Sequence, residues 1–144
     1  MALPTVGKTV LASAARTTSS NSGTLLNTSG QLPLTPAHVR LVLSCTAFTG
    51  TGLDVCIEHS PDGGTTWFMH SAFAQVTAAA ERELRFKTYH AGGDAAAEQS
   101  VALAGGADAN DGSIFRDHRI TWSFTGTTAT FAVFAAISPV DREY

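Results

Sequence analysis

Apolar and polar residues alternate along most of this chain, and the alternation marks out a series of short strands. Residues 9–16 read as the first. Residues 21–30 are rich in Ser, Asn, Gly and Thr and read as loop, with room for a brief strand at 24–27. Pro33 and Pro36 bracket the start of the next strand, because proline offers no ladder donor. Residues 39–46 and 53–59 then read as a hairpin around Gly50-Thr51-Gly52. Further strands follow at 67–73, at 84–89 with Leu84, Phe86 and Thr88 against Arg85, Lys87 and Tyr89, and at 118–124 with Ile120, Trp122 and Phe124 inward. The last runs over 130–137. Helix is scarce: only 76–82 and 95–103 have the alanine content for a turn or two. Short strands at this spacing predict an all-β fold, a single-domain antiparallel β-sandwich or small β-barrel over residues 1–144. Residues 1–8 have too little to bury by themselves and read as an N-terminal arm, and 90–113 as a long loop insertion.

Between two of these strands lies Ser60-Pro61-Asp62-Gly63-Gly64-Thr65-Thr66-Trp67, which fits the Asp-box pattern S-x-D-x-G-x-T-W. Pro61 presets φ at the first corner, Asp62 can accept hydrogen bonds from backbone N–H groups downstream, and Gly63 and Gly64 tolerate positive φ. Ser60, Asp62, Gly64, Thr66 and Trp67 are therefore expected to build a structural turn, with the indole folded back over it. The pattern resembles the turn repeated through sialidase propellers, where it staples hairpins away from the catalytic pocket. It occurs once here, in a chain too short for several four-stranded blades.

The last strand departs from the alternation. Phe131, Val133, Ala135 and Ile137 can face a core, but Ala132, Phe134 and Ala136 then face outward and are apolar too. Either a second layer within the chain or another subunit is expected to cover that face; the subunit contact is the favoured reading, which makes Ala132, Phe134 and Ala136 the candidate interface. Composition agrees, since charged residues are only 15% of the chain against roughly 25% in an ordinary soluble domain. A surface so poor in charge is expected to be partly covered in an oligomer, a dimer or trimer. The net charge of −3 and the scattered Lys and Arg give no footprint for nucleic acid. The longest apolar stretch, residues 131–137, is far too short to span a membrane, and the N-terminus lacks the features of a secretory signal.

Cys45 and Cys56 fit a reducing compartment. A two-residue loop at Gly50-Thr51 would set them opposite each other but would pair Leu43 with Glu58. The apolar pattern wants a register one residue out of step, so no disulfide is expected. The five histidines, His38, His59, His70, His90 and His118, show no metal-ligand spacing, and Asp117-His118 would point to opposite faces of a strand. Asp94, Glu98, Asp108 and Asp111 lack the spacing of a calcium loop. Trp67 and Trp122 fit a buried core better than a sugar platform. No catalytic residue, cofactor site or metal site is expected.

Three stretches carry a resemblance: Leu11-Ala12-Ser13-Ala14-Ala15-Arg16-Thr17; residues 53–67, from Leu53-Asp54-Val55 through Ser60-Pro61-Asp62-Gly63-Gly64-Thr65-Thr66-Trp67; and residues 122–131, with a last strand pair around a Thr/Gly turn. Together they are similar to small all-β virion proteins of tailed bacteriophages, of the head decoration or cement type. The resemblance implies a non-enzymatic structural protein that binds the major capsid protein on the outer capsid surface, after assembly in the host cytoplasm. The insertion at 90–113 departs from the shorter members. A carbohydrate-binding module of a phage tail or fibre, and a tail or head–tail connector subunit, are the alternatives.

Overall fold

Two strands of more than twenty residues organise the molecule. The computed structural model describes residues 6–25, 30–89 and 114–140. They form β1 (Val6–Arg16), β2 (Ser20–Asn21), β3 (Ala37–Ser60), β4 (Phe68–Ala72), β5 (Ala80–Lys87) and β6 (Asp117–Pro139), with no helix among the described residues. All pairings are antiparallel, and β3 and β6 run side by side for their whole length at the centre. The expected all-β antiparallel architecture is present as an open sheet of six strands, not closed into a barrel.

The expected hairpin around Gly50-Thr51-Gly52 is absent: β3 passes straight through it. The Thr/Gly turn expected before residue 130 is likewise interior to β6. Both glycine sites are bulges, and they face each other, with Gly50 paired to Gly126. Thr46 and Thr51 are extra residues on β3, and Thr127 is an extra residue on β6. Two extra residues restore the facing of β3, so 39, 41 and 43 before the bulges and 53, 55 and 57 after them are all buried. One extra residue reverses β6, so 120 and 122 are buried before it and 131, 133 and 135 after it. Glycine is required by close approach. A Cβ on Gly50 would sit 2.2 Å from the Thr125 carbonyl oxygen, and one on Gly126 2.2 Å from that of Thr49.

At these bulges the sheet folds over on itself. Trp122 and Phe131 are nine residues apart in β6, which would separate them by roughly 30 Å in a straight strand. Their ring centroids are 5.6 Å apart. Two half-sheets therefore face each other, β1–β6–β3–β5 and β2–β6–β3–β4, through strands that change layer at bulges. One continuous core fills the space, with Leu41, Leu43 and Val133 from one half and Val55, Ile57 and Ile120 from the other. Arg16 closes the folded end, its guanidinium 4.1 Å from the Phe131 ring centroid and donating to the Phe131 carbonyl.

Other boundaries differ in small ways. β1 begins at Val6, so 6–8 belong to a strand paired with β6 instead of an arm. Residues 76–82 form no helical turn: Val76 bridges to Leu53, and β5 starts at Ala80. A short strand lies at Ser20–Asn21; of the one expected at 24–27, residues 24 and 25 are not in a strand and 26–27 lie outside the described residues. The arm residues 1–5 and the segment 90–113, with the helical turn expected at 95–103, lie outside the described residues.

Candidate functional site

The turn at 60–67 joins β3 to β4 and is held by its own side chains. Asp62 Oδ1 accepts from the backbone N–H of Thr66 at 2.7 Å and of Thr65 at 3.2 Å, and from the Ser60 hydroxyl at 2.7 Å. The Ser60 oxygen in turn accepts from the Gly64 N–H at 2.8 Å, and the Trp67 indole N–H donates to the Gly64 carbonyl at 3.0 Å. Gly63 and Gly64 take φ of 75° and 96°, where a side chain would be strained. The donated hydrogen bonds, led by that from Thr66, hold the Asp62 carboxyl down at about 2. One face of Trp67 is taken by Arg119, whose guanidinium lies 4.0 Å from the ring centroid and pairs with Glu58 at 2.8 Å. The turn fixes where β4 starts and presents no open reactive group.

The outer face of the β1–β6–β3–β5 half-sheet is different in character. Ala132, Phe134 and Ala136 point out from β6 as their spacing predicts, but to unequal extents. Ala132 is only 3% exposed, Ala136 is half-buried, and Phe134 is 42% exposed. The strand register sets Phe134 in a row with Thr9, Val42 and Glu83, and Ala136 in the next row with Gly7, Arg40 and Arg85. Along β5 the same face carries Glu81 and Glu83 at one end and Arg85 and Lys87 at the other. Beside Ala136 a shallow groove of about 540 Å³ opens, lined by His38, Arg40, Arg85, Lys87 and Ser138. Glu83 holds both Arg40 and Arg85, which fixes the charged rim. The acidic end of this rim was not legible from sequence, because the Ala-rich run before Leu84 hid the first half of β5.

The groups that usually do chemistry are committed elsewhere. His118 is fully buried, accepting the Leu32 N–H on Nε2 at 2.9 Å and facing the Phe115 carbonyl through Nδ1 at 3.0 Å. Those partners require a neutral ring protonated at Nδ1, and burial lowers its proton affinity accordingly. His59, its cross-strand partner, accepts the Phe115 N–H and is pushed down to about 4, first by burial and then by His70 and His118. This ring cluster, with His70 against Phe86, was missed in the sequence because its members lie on four separate segments. Cys45 and Cys56 are free and buried, the first in the main core and the second with Met69 and Ala72 on the opposite outer face. Burial pushes the Cys56 thiol up to about 12, so it is not a nucleophile at neutral pH. They lie on one continuous strand, so the reason they do not pair is not the hairpin register expected above.

Trp122 is 8% exposed, in the core as expected, and donates to the Thr18 carbonyl; Trp67 is half-buried at the surface. Among the described residues no group of three or more His, Cys, Asp or Glu side chains is placed to hold a metal ion. Asp94, Glu98, Asp108, Asp111 and His90 lie outside them. No described helix is long and apolar enough to cross a membrane.

No protein-family model matches the chain, and no curated protein is significantly similar to it. Among solved structures, the Tobacco streak virus coat protein dimer is similar at a TM-score of 0.40 and 13% identity, covering 99% of this chain and 91% of that one. A similarity of that size leaves the functional reading to the chain's own residues.

Proposed function

We propose that this chain is a structural virion protein of a tailed bacteriophage, a decoration subunit that binds the outer surface of the capsid and braces it. The observation that carries the reading is Phe134, held 42% exposed at the middle of a sheet face by a strand whose other side is fully in the core. A large aromatic fixed on a rigid strand is a contact residue in waiting: it has little conformational freedom to lose and apolar area to bury. The sequence resemblance to phage head proteins supports the major capsid protein as the partner. Binding only to the assembled shell stabilises that shell by mass action, many copies each adding a modest contact. Neither buried thiol nor His118 is available for catalysis in this geometry, which fits a binding role. The test is co-sedimentation of purified protein with empty capsids. Wild-type protein should pellet with the shells. Phe134→Asp should lower occupancy at least tenfold while the melting midpoint stays within a few degrees, because the core side of β6 is untouched. Wild-type protein that stays in the supernatant refutes the reading.

A further inference from the structure

The face around Phe134 has a pattern that is complementary to itself. Consider a two-fold axis lying in the plane of the face, running across the strands midway between the Phe134 row and the Ala136 row. Rotation about it sets the Phe134 side chain of each copy over Ala136 of the other, the large residue over the small one, at the groove of about 540 Å³ beside Ala136. The same rotation reverses β5. Lys87 of each copy then faces Glu81 of the other, and Arg85 faces Glu83. Had the charges along β5 been of one sign, this stacking would set like against like; they are instead split into an acidic half and a basic half.

We propose that the occupant of this face is a second copy of the chain, stacked sheet on sheet about that axis. This rests on the proposed virion role and gives Phe134 to the contact between copies, so that the decorating unit is a two-fold dimer and Phe134→Asp lowers shell occupancy by breaking that unit. Four strands by four outward rows span about 19 Å by 27 Å, so the dimer buries roughly 1,000 Å² in all. That is the lower bound of a specific interface, and it makes association weak and concentration-dependent. Isologous closure also explains how Phe134 can stand exposed on one face without leading to open-ended aggregation: a two-fold contact uses the face up. The charged rim selects the antiparallel stacking over the parallel one.

Sedimentation equilibrium of the full chain, without shells, from about 1 µM to about 1 mM tests this directly. Wild-type protein should pass from monomer to dimer and go no further. Phe134→Asp should raise the dissociation constant about 30-fold or more, as for a central hot spot that buries an unpaired charge. Lys87→Glu and Glu81→Lys should each weaken the dimer about tenfold, and the double variant K87E/E81K should regain most of the loss, because it exchanges the two ends of the rim. Far-UV circular dichroism and melting of each variant separate loss of association from loss of fold. A wild-type monomer at all concentrations overturns the proposal, as does a dimer indifferent to Phe134→Asp or a double variant no better than the singles. The two readings fail separately: a dimer that does not bind shells keeps this interface and removes the decoration role, whereas a monomer that binds shells does the reverse.

Discussion

Gly126→Ala is the sharpest test of how this sandwich is made. The new Cβ would lie 2.2 Å from the Thr49 carbonyl oxygen and 2.6 Å from the Gly50 Cα, both backbone atoms that no rotamer change can move aside. An ordinary carbon–oxygen contact needs about 3.3 Å, so the two central strands must part by about 1 Å at the fold line. Gly126 also sits at φ 155°, a conformation that costs an L-residue about 1–3 kcal/mol. Overpacking of this kind costs about another 1–3 kcal/mol, and together the two give about 2–6 kcal/mol. Against a total stability of roughly 5–15 kcal/mol this is severe, and it should lower the melting midpoint by about 10–20 °C.

Gly50→Ala meets the mirror-image clash, 2.2 Å from the Thr125 oxygen, without the unfavourable φ, and should fall between Gly126→Ala and wild type. Gly7→Ala is the control: its Cβ finds only an ordinary 3.9 Å contact, and reduced freedom of the unfolded chain should leave stability unchanged or slightly raised. Thermal melts followed by circular dichroism, with urea titrations as a second measure, would rank the three. If residues 49–52 formed a solvent-exposed hairpin loop, Gly50→Ala would cost only about 1 kcal/mol, as for a turn glycine, with no clash against a facing strand. A Gly126→Ala midpoint within about 2 °C of wild type would show that the strands do not meet as described.

Asp62→Ala removes two backbone acceptor bonds and the Ser60 contact, and should lower the melting midpoint, with Asp62→Asn intermediate. Because the folded carboxyl sits at about 2 against an ordinary 3.8, its contribution is complete above pH 4 and should disappear as pH falls toward 2, a loss that Asp62→Ala should not show. His59 titrates in the fold at about 4 and His118 also below its ordinary 6.5, so the unfolded chain takes up protons first. Stability should therefore be full above pH 6.5 and fall as pH drops toward 4; a melting midpoint that is flat between pH 7 and 5 would contradict the buried neutral rings. Cys45 and Cys56 should resist alkylation in native buffer and both react on unfolding, giving two added labels by mass spectrometry.

Much of this architecture could be read from the alternation of residues. The inward sets 39, 41, 43 and 53, 55, 57, the turn at 60–67 and the outward apolar positions of the last strand all follow from period-two spacing. The failure at Gly50 and Gly126 has a definite cause. A hairpin turn and a bulge both use glycine flanked by small polar residues, and both change which residues face inward. What separates them is whether two such sites lie opposite each other, and that is a long-range fact. One local sign was present. A two-residue loop at Gly50-Thr51 would have opposed Leu43 to Glu58, and this mismatch disappears once 37–60 is a single strand. The histidine cluster was hidden for a related reason: His59 meets His118 through the β3–β6 ladder and His70 through the β3–β4 pairing, and Phe86 joins them only after the sheet folds over. The acidic half of β5 was hidden by composition, since Ala78-Ala79-Ala80 resembles the start of a helix more than that of a strand.

Folding one sheet over on itself also decides which outer face remains available. Both half-sheets draw their central strands from β3 and β6, so both have an outward row from each. On the β2–β6–β3–β4 side, Cys56, Met69 and Ala72 cover one another to 5% exposure or less, and Trp67 is laid on Arg119. Those side chains are satisfied within the chain, although Phe68 at the start of β4 stands 47% exposed. On the β1–β6–β3–β5 side the single extra residue at Thr127 turns the outward row of β6 to Ala132, Phe134 and Ala136. No described strand lies across Phe134, and the charged residues of β5 stand beside it as a rim instead of over it as a lid. A shift of one more residue in the bulge would exchange the two sides of β6 and put Phe131 and Val133 outside, with loss of the core. The bulge that makes the sandwich thus also fixes Phe134 at the surface, and a subunit that works by contact needs an apolar anchor that the fold itself cannot withdraw.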